Sequence, residues 1–188
     1  MTLAWKFIVS FLVGSIPFAK VAMLGTGVDI TKVGSKNPGF NNVLRASKEF
    51  HFGKWRAVVA LIGDIAKGYI ALLALGGSWF VGLAPVMGHC WSPFLGFNGG
   101  KGVATTVGVL LFLEPKITFI CLPLYPLLRF FGRKMGWKQE GAISSLTTML
   151  VIATSVLTLR GAESGIFAFI LFAIVVIRHV PNLREIIR

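Results

Sequence analysis

Acidic residues are scarce in this chain: 7 Asp and Glu stand against 19 Lys and Arg in 188 residues. Charged residues of both signs make up only 14% of the sequence, where a soluble domain carries about 25%. So little charge cannot cover a water-soluble globule, and no separate soluble domain is visible. Cysteine is nearly absent. Cys90 and Cys121 both lie in apolar runs, which excludes a disulfide framework. The 3 histidines and the cysteines have no zinc-like spacing. Carboxylates do not cluster, so no metal is called for, and no cofactor motif is present. Repeats, low-complexity tracts and flexible linkers are also missing. Residues 1–188 therefore read as one integral membrane domain.

What the chain does have is hydrophobic length. Apolar residues make up 55% of it, and the mean hydropathy is +0.77. Backbone polar groups inside a bilayer must be satisfied within the segment, so the expected fold is all-α, a polytopic helical bundle. The first apolar run continues from Leu3 to about residue 24. That is longer than the apolar region of a signal peptide and reads as an uncleaved first helix. Seven spans can be drawn, near residues 3–24, 57–76, 79–97, 103–113, 117–131, 142–159 and 164–177. The fourth is short against the roughly 20 residues a spanning helix needs.

Charge sets the orientation. Lys32, Lys36, Arg45, Lys48, Lys54 and Arg56 fill the first loop, and Lys101 follows the third span. Arg129, Arg133, Lys134 and Lys138 fill the fifth-to-sixth loop, and Arg178, Arg184 and Arg188 the tail. With seven spans all four segments fall on one side, which the positive-inside rule makes cytoplasmic. The amino terminus then faces out, the carboxyl terminus faces the cytoplasm, and Trp137 would anchor its basic loop at headgroup depth. The net charge of +12 sits between spans, so anionic lipid and phosphorylated substrates are the expected partners and nucleic acid is not. Nothing in the sequence sets an oligomeric state.

Four polar constellations stand out. The first is Gly96-Phe97-Asn98-Gly99-Gly100-Lys101-Gly102-Val103-Ala104-Thr105. Glycines let backbone N–H groups close around an anion, and the lysine adds a mobile charge. It is not a Walker motif, because Gly102 follows Lys101 and Leu95 stands where the leading glycine belongs. The competing reading is glycines that pack membrane helices. The second is residues 33–45, where Ser35, Asn37, Asn42 and Arg45 together suit phosphate. A solvated basic loop beside anionic lipid is the alternative.

The third is Arg178-His179-Val180-Pro181-Asn182. His179 is the best general-base candidate by residue type, or else a polar cap on the last helix. The fourth is Asp64-Ile65-Ala66-Lys67-Gly68, whose charges share a helix face at spacing three. An internal ion pair is the plainer reading there, and an ion pathway the sharper one. His89 lies inside a span, where a helix-to-helix hydrogen bond competes with a functional role. His51 reads as loop surface. Glu114, Glu140 and Glu163 sit near span ends without a special role. Ser144 and Ser145 open the sixth span and either glue helices or complete a phosphate site.

Taken with Gly14-Ser15-Ile16-Pro17, these blocks resemble the bacterial acyl-phosphate:glycerol-3-phosphate acyltransferase family along nearly the whole chain. The resemblance implies a seven-helix enzyme of the inner membrane with a cytoplasmic site. Such an enzyme moves a fatty acyl group from acyl phosphate to the 1-hydroxyl of glycerol 3-phosphate, giving lysophosphatidic acid and phosphate. It implies that Ser35, Arg45 and Lys101 hold phosphate groups, with Asn37 and Asn42 beside them. Gly99, Gly100 and Gly102 would shape the loop around the glycerol phosphate, and His179 and Asn182 would be needed for activity. A serine early in the sixth helix would join them, Ser145 by alignment and Ser144 as fallback.

The sequence departs from the family pattern in three places. Gly39-Phe40-Asn41-Asn42 replaces Gly-Ala-Thr-Asn, Asn98 replaces a lysine, and the chain stops at Arg188, short of a Gly-Thr-Glu-like ending. Another acyltransferase class pairs His with an Asp five positions on. Here those positions hold Arg56, Phe94 and Arg184. A membrane anion transporter and an inactive paralogue are the rival functions.

Overall fold

The computed structural model describes residues 2–48, 50 and 52–187, and all regular structure among them is helical. His51 and Arg188 lie outside the described residues. Helices α1 (Leu3–Ser15), α2 (Phe18–Ala22), α3 (Phe40–Ala46), α4 (Gly53–Leu75) and α5 (Trp79–Cys90) lead to a short 3₁₀ turn at Pro93–Leu95. Helices α6 (Val103–Leu113), α7 (Pro115–Cys121), α8 (Leu124–Lys134), α9 (Glu140–Arg160) and α10 (Ala162–Ile187) follow. Among the described residues four stretches are long and apolar enough to cross a membrane: Leu3–Ala22, Gly53–Leu75, Glu140–Arg160 and Ala162–Ile186. The chain forms two compact units, residues 1–109 and 110–188.

In the first unit the expected opening span is broken. Pro17 has no N–H to donate, and it pushes Ile16 to an extended ψ of 119°. Beside the break, the Ser15 and Ile16 carbonyls accept from the side chains of Ser92 and Lys67. Helix α1 lies along α5 at two glycines. A Cβ on Gly14 would come 2.2 Å from the Pro85 carbonyl oxygen, and one on Gly88 would come 2.1 Å from that of Phe11. Bare backbone faces let apolar helices touch where lipid offers no hydrophobic drive to associate. The third span also ends sooner than its apolar run suggests. Helix α5 stops at Cys90, and the chain then turns back on itself. Helix α3 was unexpected: its polar Asn41, Asn42 and Arg45 leave too few apolar positions in seven residues to show a helical period.

In the second unit α9 packs along α10, α8 and α7. The fifth span is split at Leu122 and Pro123 into α7 and α8. Arg129 and Arg133 of α8 reach Glu140 Oε1 at 3.6 and 3.4 Å, and Arg160 reaches Glu114 Oε2 at 2.8 Å. Glu114 and Glu140, given no role in the sequence reading, thus tie helix ends together. Trp137 folds back on Gly132, where an added Cβ would lie 2.8 Å from its ring. Helix α10 runs ten residues past the apolar stretch that ends at 177. Pro181 removes one N–H from its ladder without ending it.

Candidate active site

The loop ahead of α3 is organised by one amide. Asn42 is 1% exposed. Its Oδ1 accepts from the Ser35 N–H at 3.0 Å, and its Nδ2 donates to the carbonyls of Ile30 at 3.1 Å and Val33 at 3.0 Å. Gly34, at φ +56°, passes so close that a Cβ would sit 2.4 Å from Asn42 Oδ1. Asn42 was expected beside a ligand, but its amide is committed to the loop backbone. That loop presents Ser35 exposed and Asn37 half-buried. Arg45 follows on α3, exposed, with its Nε donating to the Asn41 carbonyl at 3.2 Å. At the loop entrance Asp29 accepts from the Thr31 hydroxyl at 2.7 Å and the Thr31 N–H at 3.0 Å. Those bonds, with Lys20 and Lys32 nearby, hold its carboxyl below the ordinary value of 3.8.

The glycine loop differs from the expected anion cradle. The Gly99 N–H donates to the Cys90 carbonyl and the Gly100 N–H to the His89 carbonyl, both at 3.1 Å. Those two amides are therefore spent on the end of α5. Glycine is required there by close approach: a Cβ at 99 would lie 2.0 Å from the His89 carbonyl oxygen, and one at 100 would lie 2.1 Å from His89 Nε2. Gly102, at φ +81°, immediately precedes α6, and its carbonyl accepts from the Thr106 N–H at 2.8 Å. The first amides of a helix have no partner within it and favour an anion. Lys101 and Gly102 thus lead into a helix start suited to phosphate.

Beneath this loop lies a buried polar knot. Lys67 Nζ is 2.8 Å from Asp64 Oδ1, 2.8 Å from the Ile16 carbonyl and 2.9 Å from His89 Nδ1. The Ser92 hydroxyl donates to the Ser15 carbonyl at 2.7 Å. The Ser15 and Ile16 carbonyls beside the break at Pro17 thereby each receive a side-chain donor. Asp64 and Lys67 form the internal ion pair read from their spacing, and His89 makes a bond between helices.

In the second unit His179 is 2% exposed, and its Nδ1 lies 2.8 Å from the Val175 carbonyl. A carbonyl only accepts, so Nδ1 carries the ring proton and Nε2 is the basic nitrogen. Asn182 Nδ2 donates to Gln139 Oε1 at 2.7 Å, and Gln139 Nε2 donates to Glu185. Gln139 sits at φ 56° just ahead of α9. It carried no sequence signal, because a lone glutamine between Lys138 and Glu140 matches no motif. The Ser144 and Ser145 hydroxyls each donate to the carbonyl four residues back, at 2.7 Å. Ser144 is fully buried, and Ser145 retains 6% exposure.

Comparison with known proteins agrees with the resemblance. The family described as glycerol-3-phosphate acyltransferase matches residues 4–188. A glycerol-3-phosphate acyltransferase of Neisseria meningitidis serogroup A is 37% identical over 193 residues, covering 96% of this chain and 91% of that one. The enzyme of the same name from Laribacter hongkongensis is 33% identical, covering all of this chain and 94% of that one. Among solved structures, PlsY, an integral membrane glycerol 3-phosphate acyltransferase, matches in its glycerol 3-phosphate form with a TM-score of 0.84. Identity there is 30%, over 98% of this chain and 91% of that one. Its lysophosphatidic acid form matches with a TM-score of 0.81. The chain belongs to the glycerol-3-phosphate acyltransferase family.

Proposed function

We propose that this chain transfers a fatty acyl group from acyl phosphate to the 1-hydroxyl of glycerol 3-phosphate. The products are lysophosphatidic acid and phosphate. The observation that carries this reading is the end-to-end likeness to a solved acyltransferase in its glycerol 3-phosphate form. Residue chemistry supports it. Acyl phosphate is a mixed anhydride with a good leaving group, so the enzyme chiefly positions two anions and offsets their charge. The glycerol hydroxyl attacks the acyl carbonyl, a carbon–oxygen bond forms, and the bond from that carbon to the phosphate oxygen breaks.

Arg45, Lys101 and the start of α6 supply positive charge, with Ser35, Asn37 and Ser145 as shorter donors. Asn42 serves by holding the Ser35 loop, and Gly99 and Gly100 by seating Lys101. The hydroxyl proton goes to His179 Nε2 or to a substrate phosphate oxygen. Asn182 orients the reacting groups. Residues 1–188 act as one domain of seven spans in the bacterial inner membrane, amino terminus out, with the chemistry on the cytoplasmic side. The acyl chain enters sideways from the bilayer.

The transporter reading drew on Asp64, Lys67 and His89. Their mutual bonding and the capture of the Ile16 carbonyl argue for a structural role instead. The test is purified protein with acyl phosphate and labelled glycerol 3-phosphate, run against acyl-CoA and acyl carrier protein as competing donors. Lysophosphatidic acid made from acyl phosphate alone supports the proposal. Phosphate uptake into liposomes without that product would favour transport, and neither activity would favour an inactive paralogue.

A further inference from the structure

Lys101 is held by what lies behind it. The two residues before it hang by their amides from the carbonyls of His89 and Cys90. The His89 ring lies directly against Gly100. The state of that ring follows from its neighbours. The Lys67 ammonium is a donor only, with three N–H bonds, and three acceptors lie within 2.9 Å of it. His89 Nδ1 is one of them, so it accepts, and the ring proton resides on Nε2. Nε2 is the atom that faces Gly100. Asp64 Oδ1, 3.4 Å from Nδ1, and Lys67 both bring charge to this ring. One side of the imidazole thus receives a bond from α4, while the other side and the residue's own carbonyl bear on the loop.

We propose that His89 is a positioning residue for Lys101, clamping the Gly99–Gly100 segment against the end of α5 so that the lysine is presented to substrate phosphate. The Asp64–Lys67 pair sets the clamp. By drawing the ring's Nδ1 toward α4 it turns Nε2–H to the loop. By holding the Ile16 carbonyl it also locks the clamp to the break between α1 and α2. The buried charges are therefore retained for geometry at a substrate ligand in addition to stability. The inference rests on the reading of Lys101 as a phosphate ligand.

The test is a set of full-length variants purified in detergent: His89→Asn, His89→Gln, His89→Ala, Lys101→Arg, Lys101→Ala and the double variant His89→Ala with Lys101→Arg. An asparagine oxygen can replace Nδ1 as the acceptor from Lys67, while a glutamine nitrogen can take the place of Nε2 against Gly100. Misplacement of a ligand by about 1 Å costs on the order of 100-fold in rate. We expect His89→Ala and His89→Asn to lower kcat/KM about tenfold or more. His89→Gln should retain more activity than His89→Asn although it melts lower, because it keeps the loop contact and loses the one to Lys67. A residue that only stabilises the fold would show activity tracking the melting temperature. The double variant should be no less active than Lys101→Arg alone, since with the lysine replaced there is no lysine placement left for His89 to set.

Multiplicative losses in the double variant, or activity that follows melting temperature across the three His89 variants, overturn the positioning role while leaving Lys101 as a ligand. Wild-type kinetics for Lys101→Ala would instead remove the premise, and the inference with it.

Discussion

Replacing Asn42 with alanine separates a loop-holding amide from a ligand. The change removes three hydrogen bonds: one from the Ser35 N–H and two to the Ile30 and Val33 carbonyls. Leaving a buried polar group unsatisfied costs roughly 1–3 kcal/mol. Only the bond to Ile30 is wholly buried, and water can reach the other two groups. A total of about 3 kcal/mol is therefore reasonable. At about 1.4 kcal/mol per factor of ten, that lowers the population of the native loop about 100-fold relative to its disordered states. The expected result is faster amide exchange across residues 30–36, with a lower kcat and a higher KM because Ser35 is no longer held. Asn42→Asp should do no better. Its carboxylate can still accept from Ser35, but it sets two carbonyls against a negative charge. Unchanged exchange together with a rise in KM alone would refute this reasoning and make Asn42 a direct ligand.

Other perturbations give distinct outcomes. Lys67→Ala leaves Asp64 buried without its cation, which costs about 3–5 kcal/mol; a marked fall in melting temperature is expected in detergent, and an unchanged melt would contradict the buried pair. Gln139→Ala removes the partner of Asn182, a neutral bond worth about 1 kcal/mol. About fivefold lower kcat/KM with a melting temperature lowered by only about 2–4 °C is the expected outcome. The depressed Asp29 carboxyl contributes stability above the ordinary value of 3.8 and loses it as pH falls through its lower folded value. Acid should therefore loosen the Thr31 turn in exchange experiments, and Asp29→Asn should show no such pH step. If His179 is the base, His179→Ala abolishes turnover while retaining glycerol 3-phosphate binding; near-normal turnover would assign the proton to a substrate phosphate.

Much of this was legible in the sequence, and the failures have physical causes. Apolar runs gave the helical class and the approximate position of the long apolar helices, because hydropathy reports the bilayer directly, whereas α3 left no such trace. The spacing of Asp64 and Lys67 gave the ion pair, because three residues along a helix place side chains on one face. Interruptions were less visible. The run around Pro17 is as apolar as a straight helix, and only the neighbours that capture the Ser15 and Ile16 carbonyls make a break tolerable. The continuation of α10 through Pro181 was hidden for the opposite reason, since its end is polar and carries Arg178, His179 and Asn182. Gly99 and Gly100 stand out in the sequence, but which of the two causes applies does not. A loop that wraps an anion and one that folds onto a helix end both need residues without a Cβ, and sequence does not show which backbone approaches. Gln139 was invisible, because its importance lies in meeting Asn182 across 43 positions of chain.

The most direct test of the central claim is product stoichiometry. Purified protein supplied with acyl phosphate and glycerol 3-phosphate should release phosphate and lysophosphatidic acid in equal amounts, and Lys101→Ala should suppress both together. Phosphate release without the acylated product, or equal yields from the Lys101→Ala variant, would contradict the account.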